Sequence, residues 1–175
     1  APLSGLVKPI SPAKLMSWVA VMLLLGVAAG LAWQWLARPA EWEVRADGSI
    51  VLTEIAARDQ FGVIVVFVLA GIIASLIWGF ATTVALRDLG WRLTPLVILT
   101  TIAAAVIAWQ VGLALGPVGP KEAVDPAVGD LLPSKLKIDS VAPFLAWPIF
   151  GVIGVFVASW VSKDSDEPVG SHHDR

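Results

Sequence analysis

Residues 61–86 read FGVIVVFVLAGIIASLIWGFATTVAL, and this stretch decides the fold class. It holds no Asp, Glu, Lys, Arg or His. It is also longer than the roughly 20 apolar residues a helix needs to cross about 30 Å of hydrocarbon. A membrane β-strand would be about 10 residues long and would alternate in polarity; this run is continuous. A helix closes its backbone hydrogen bonds within the segment, as lipid demands. Three more uncharged runs accompany it, Leu15–Ala37, Leu93–Leu115 and Val141–Ser162. Over the 175 residues, 57% are hydrophobic and only 15% charged, where a soluble domain carries about 25% charge. An ordinary water-soluble globule is excluded. The reading is an all-α integral membrane protein of four transmembrane helices.

Around these spans the chain divides into a tail at 1–14, a membrane domain at 15–162 with outer loops at 38–60 and 116–140, and a tail at 163–175. Lys8 and Lys14 precede the first run as they would in a secretory signal. A signal core is only about 7–15 residues, however, and no small-x-small site closes this run before Trp33-Gln34-Trp35. The run is read as a retained span. Basic residues near helix ends set orientation. Lys8, Lys14, Arg87, Arg92, Lys163 and Arg175 fall on one side; Arg38, Arg45, Arg58, Lys121, Lys135 and Lys137 fall on the other. The count is balanced, but the first set crowds short segments at helix ends. Both termini are therefore predicted to be cytoplasmic. Tryptophan gathers at membrane interfaces. Trp18, Trp91 and Trp160 are assigned to the inner edge, Trp33, Trp35, Trp109 and Trp147 to the outer edge, and Trp78 to a deeper position.

In the first outer loop Trp42, Val44, Ile50 and Leu52 alternate with polar neighbours around Asp47-Gly48. That is a hairpin signal, because glycine tolerates positive φ. A small extracytoplasmic β-hairpin cap is predicted, leaning on a second loop stiffened by Pro117, Pro120, Pro126 and Pro133 and holding at most two short amphipathic pieces. Trp42, Arg45, Asp47 and Glu54 are the candidate partner contacts of this cap.

Reactive chemistry is sparse. Ionisable groups inside a membrane mark proton paths and ion sites, and these spans have none. There is no cysteine, so disulfides, thiolate metal sites and Cys catalysis are excluded. His172-His173 stand alone in the tail without a third metal ligand of suitable spacing. Neither a P-loop nor a nucleophile elbow nor a zinc-protease helix occurs. The expectation is a chain that is not an enzyme, with no catalytic, metal or cofactor residues of its own. The net charge of −2 gives no general attraction to nucleic acid. Bound lipids are the expected small-molecule company.

The helices do offer packing faces. Gly26 and Gly30 in the first span, Gly71, Ser75 and Gly79 in the second, and Gly151 and Gly154 in the fourth put small residues where backbones can approach closely. Such faces either close the chain's own bundle or dock a foreign helix. Gln34 and Gln110, near the outer ends of their spans, are read as paired within the chain, since an amide in lipid wants a hydrogen-bond partner. Pro143 and Pro148 loosen the start of the fourth span, because proline removes a backbone donor.

Four spans, a glycine-rich first helix ending Gly30-Leu31-Ala32-Trp33, the Asp47-Gly48-Ser49 loop, and Glu54 and Asp59 before Phe61 together resemble a family of small actinobacterial membrane proteins of unknown function. The resemblance spans roughly Val21 to Trp160. It implies a multi-pass protein of the bacterial plasma membrane. By analogy with actinobacterial cytochrome bc–cytochrome oxidase supercomplexes, it also implies an accessory subunit of the electron transport chain. The leading functional expectation is thus a non-catalytic accessory or structural subunit of a larger membrane complex, with that complex's subunits and lipids as partners. Two alternatives stay open: a small homo-oligomeric transporter or lipid-handling protein, and a transient assembly factor.

Overall fold

The computed structural model describes residues 10–37, 41–44, 46–47, 50–52, 54–117, 131–134 and 136–164. The outer parts of both tails, Arg45, Gly48 and most of the proline-rich second loop lie outside the described residues. Four long helices make the body. Helix α1 is Pro12–Leu36, α2 is Glu54–Ala85, α3 is Leu93–Leu115 and α4 is Ala142–Asp164. All four are long and apolar enough to cross a membrane, as expected for a multi-pass membrane protein.

Local signals account for their ends. Ser11 caps α1, its hydroxyl accepting the Lys14 N–H at 3.3 Å, and Pro12 fills the first turn, where its missing N–H is no loss. The Ser140 hydroxyl accepts the Ala142 N–H at 3.2 Å as α4 begins. One boundary differs from expectation. Helix α2 starts at Glu54, seven residues before its apolar part at Phe61. Residues 54–60 contain neither Gly nor Pro, so nothing stops the helix from running on past the apolar stretch. Hydropathy marked the lipid-matched length and missed the polar extension. Glu54, expected in a loop, is therefore the first helical residue.

The buried faces invert the pattern of a soluble protein. In α1 the buried residues are Met22, Gly26, Gly30 and Trp33; in α3 they include Thr100, Thr101, Ala104, Ala105, Ala108 and Gly112. Large aliphatic and aromatic side chains such as Leu24, Leu69, Ile73, Leu99 and Phe156 point outward. In lipid an outward leucine costs nothing, so tight contact between small residues decides which faces meet. Helix α2 packs chiefly on α4 and α1 on α3, while α3–α4 and α1–α2 contacts close the ring. Around the bundle the order is α1, α3, α4, α2. Helices α2 and α3 touch little although they are consecutive. Their connector, Arg87–Arg92, is a tight 3-10 turn that Gly90 reverses at φ 55° and ψ −129°, a conformation open to glycine and strained for other residues.

Outside the helices three short segments pair. Strand β1 (Glu41–Val44) lies between β2 (Ile50–Leu52) and β3 (Leu131–Pro133), antiparallel to both. The register sets Trp42 opposite Leu52 on one side and opposite Leu132 on the other. The third strand was not expected from the proline-rich second loop. Two backbone pairings of three residues each do not amount to the predicted hairpin cap, and the architecture rests on the helices.

Candidate functional site

The glycines singled out in the sequence lie on the chain's own helix seams. A Cβ on Gly26 would stand 2.7 Å from the Ala104 carbonyl oxygen, and one on Gly30 would stand 2.6 Å from that of Ala108. The α1–α3 seam is therefore backbone against backbone. On the α2–α4 seam, Gly79 faces the Gly151 carbonyl and Gly154 faces that of Leu76, with no room for a methyl group at either. Gly71 lies beneath the Trp147 indole and Gly112 beneath that of Trp33. Ser75 is fully buried, and its hydroxyl has no partner. Of the two readings left open for these faces, the structure has the chain's own helices on them.

Between the helices, toward the C-terminal ends of α1 and α3, the interior is filled by rings. Trp33 meets Phe67 edge-on at 5.2 Å between centroids; Phe67 meets Phe144 at 5.2 Å and Trp147 at 5.7 Å; Trp109 closes on Phe144 at 5.9 Å. The Trp33 indole N–H donates to the Val63 carbonyl at 2.8 Å, a bond wholly inside the bundle. Deeper, Trp18 tilts against Trp78 at 5.3 Å, and the Trp78 N–H donates to the Thr100 hydroxyl at 3.3 Å. The aromatic belt is thus smaller than the sequence implied. Trp35, Trp91 and Trp160 are 87%, 79% and 65% exposed, whereas Trp33 and Trp147 are 0% exposed and belong to the core. Periodicity gave no hint of this. The separating signal was the glycine across each seam, Gly112 for Trp33 and Gly71 for Trp147, which makes a pocket the width of an indole.

The Trp147 N–H, the Ser75 hydroxyl and the Thr82 hydroxyl are buried without partners. Gln34 is half-buried and Gln110 exposed, and neither forms a hydrogen bond among the described residues. The internal pairing expected of these amides is not formed among the described residues. Trp42 lies on β1, Asp47 in the exposed turn after it and Glu54 at the head of α2.

At the opposite end, cations tie the helix ends together. The Lys14 ammonium donates to the Ala85 carbonyl at 3.1 Å, capping α2 from the start of α1. The Arg87 guanidinium donates to the Ser162 hydroxyl at 2.8 Å, joining the connector to α4. Beside it is a cleft of about 350 Å³ lined by Thr83, Arg87, Thr94, Val155, Ser159 and Ser162, with Gly90 and Leu93.

Searches among protein families, curated proteins and solved structures find no match to this chain.

Proposed function

We propose that this chain is a non-catalytic accessory subunit of a larger membrane complex, the actinobacterial respiratory supercomplex being the assembly its sequence resemblance points to. The observation that carries the reading is the filled interior. Small-residue seams close on the chain's own backbone, and five aromatic rings occupy the space between the outer helix halves. A single copy so packed offers no evident route for cargo, which leaves its outer surface as the working part. Gln34 and Gln110 favour a partner on the α1–α3 side. An amide at a lipid-facing position gains about 0.6–2 kcal/mol from an inter-helix hydrogen bond, and neither amide is paired among the described residues. The residues after α1 and after α3, which carry the short strands β1, β2 and β3, would reach the extracytoplasmic domains of the same partner.

The test is purification of the tagged chain from its native membrane in mild detergent, with mass spectrometry of what migrates with it. Co-migration of a larger complex at fixed stoichiometry, weakened by the paired substitutions Gln34→Leu and Gln110→Leu, is expected. A monodisperse monomer that cross-links to nothing in the membrane overturns the proposal. Substrate flux through vesicles holding the pure protein would support the transporter reading instead. Loss of a complex that never contains the chain would support the assembly factor.

A further inference from the structure

We infer that the cleft between the ends of α2 and α4 and the start of α3 is a binding site for a phosphate group, as carried by an anionic phospholipid. The inference does not depend on the accessory-subunit reading. Among the described residues, Arg87 is the one charged group in the lining, and no carboxylate is found beside it there. Its guanidinium has five N–H donors in a rigid fork, and the Ser162 hydroxyl engages one terminal nitrogen and so orients the group. The remaining donors match the oxygens of a phosphate, a pairing in which arginine makes two parallel charge-assisted bonds. Thr94 adds a hydroxyl that makes no hydrogen bond among the described residues.

The rest of the lining suits a lipid. Ser159 and Ser162 spend their protons on the Val155 and Ala158 carbonyls at 2.8 Å each, and Thr83 bonds the Gly79 carbonyl at 2.8 Å. Those hydroxyls are thereby quieted as donors, and with Val155 and Leu93 they line the rest of the cleft. Exposed Trp91 and Trp160 sit near the same end of the bundle, where tryptophan marks headgroup depth. Arg92 stacks on the Trp91 ring at 5.9 Å and Lys14 is committed to the Ala85 carbonyl, so neither of these described cations lines the cleft. A polar pocket with one oriented arginine, opening beside lipid-facing surface, is how headgroups are held between helices.

The full-length protein in detergent would be titrated by native mass spectrometry with phosphatidylglycerol, with phosphatidylcholine and with inorganic phosphate. One phosphatidylglycerol that survives delipidation is expected. Arg87→Gln should weaken it about tenfold to hundredfold, the range for losing a charge-assisted contact. Arg87→Lys, which keeps the charge and loses the fork, should fall between, and Thr94→Val should give a smaller loss. Arg92→Gln should leave binding unchanged. If Arg87→Gln loses helicity, Arg87→Lys and Thr94→Val decide the matter on folded protein. Binding of inorganic phosphate that also depends on Arg87 upholds the phosphate chemistry and makes a free anion its source. Equal losses from Arg87→Gln and Arg92→Gln would mean general surface attraction, and no preference for phosphatidylglycerol over phosphatidylcholine would mean that no anionic headgroup is selected; either result overturns the inference.

Discussion

Methyl groups are the finest probes of this bundle. At Gly79 and Gly154 an added Cβ meets backbone, which cannot swing aside. Gly79→Ala and Gly154→Ala should each cost about 1–3 kcal/mol through overpacking of the α2–α4 seam, read as a lower unfolding midpoint in detergent. Gly62, on the same helix as Gly79, has nothing within 4 Å of such a Cβ. Gly62→Ala should therefore be neutral or stabilise by up to about 1 kcal/mol, from helix propensity alone. Equal effects at positions 62 and 79 would refute the seam. Ser75 is a different case: its hydroxyl is buried and unpartnered, so Ser75→Ala removes a desolvated group without breaking a bond and should not destabilise. Trp33→Phe, by contrast, loses the bond to Val63 and opens space over Gly112. About 2 kcal/mol is expected from the two effects together, and quenching of the remaining indole fluorescence by acrylamide should rise.

At the level of whole elements, the connector between α2 and α3 decides how the bundle is wound. Its residues Arg87–Arg92 reverse the chain at Gly90, where φ is 55°. Nothing stands within 4 Å of a Cβ there, so any penalty at this position comes from backbone strain rather than crowding. Gly90→Ala should cost about 1–3 kcal/mol and should do so without disturbing the seams, a separation that tryptophan emission can check. The early start of α2 is the matching lesson on helix length. Seven polar-leaning residues continue the helix beyond its apolar part, adding about 10 Å at the helical rise. Hydropathy is blind to helix that leaves the lipid. The surface pair Lys137–Asp139 contributes little by comparison: at 2.8 Å it is 68% and 62% exposed, a setting in which ion pairs are worth at most about 1 kcal/mol.

For the molecule as a whole, the start of α1 and the end of α4 lie at the same end of the bundle as the α2–α3 connector. Lys14, Arg87 and Arg92 sit at that end, and the positive-inside rule predicts that it faces the cytoplasm. Because the chain has no cysteine, single cysteines report orientation cleanly. Ala46→Cys should react with an impermeant maleimide in intact cells, and Asp88→Cys should react only after the membrane is opened. The reverse pattern would turn the protein over and move the Arg87 cleft to the outer leaflet.

What the sequence determined by itself was the number of spans and nearly all their limits. The physical reason is that crossing hydrocarbon requires about 20 uncharged residues in a row, a one-dimensional property. It also pointed to Gly26, Gly30, Gly79 and Gly154 as packing residues, since only small side chains let backbones touch. It did not reveal which helices would pair, which tryptophans would be core, or that Arg87 would line a cleft with Thr94 and Ser162. Every span is apolar on all sides, so no stripe distinguishes the lipid face from the buried one, and the period of 3.6 has nothing to modulate. That choice was left to the tertiary structure, where the fit of Trp33 over Gly112, of Trp147 over Gly71 and of Gly79 against Gly151 selects one arrangement.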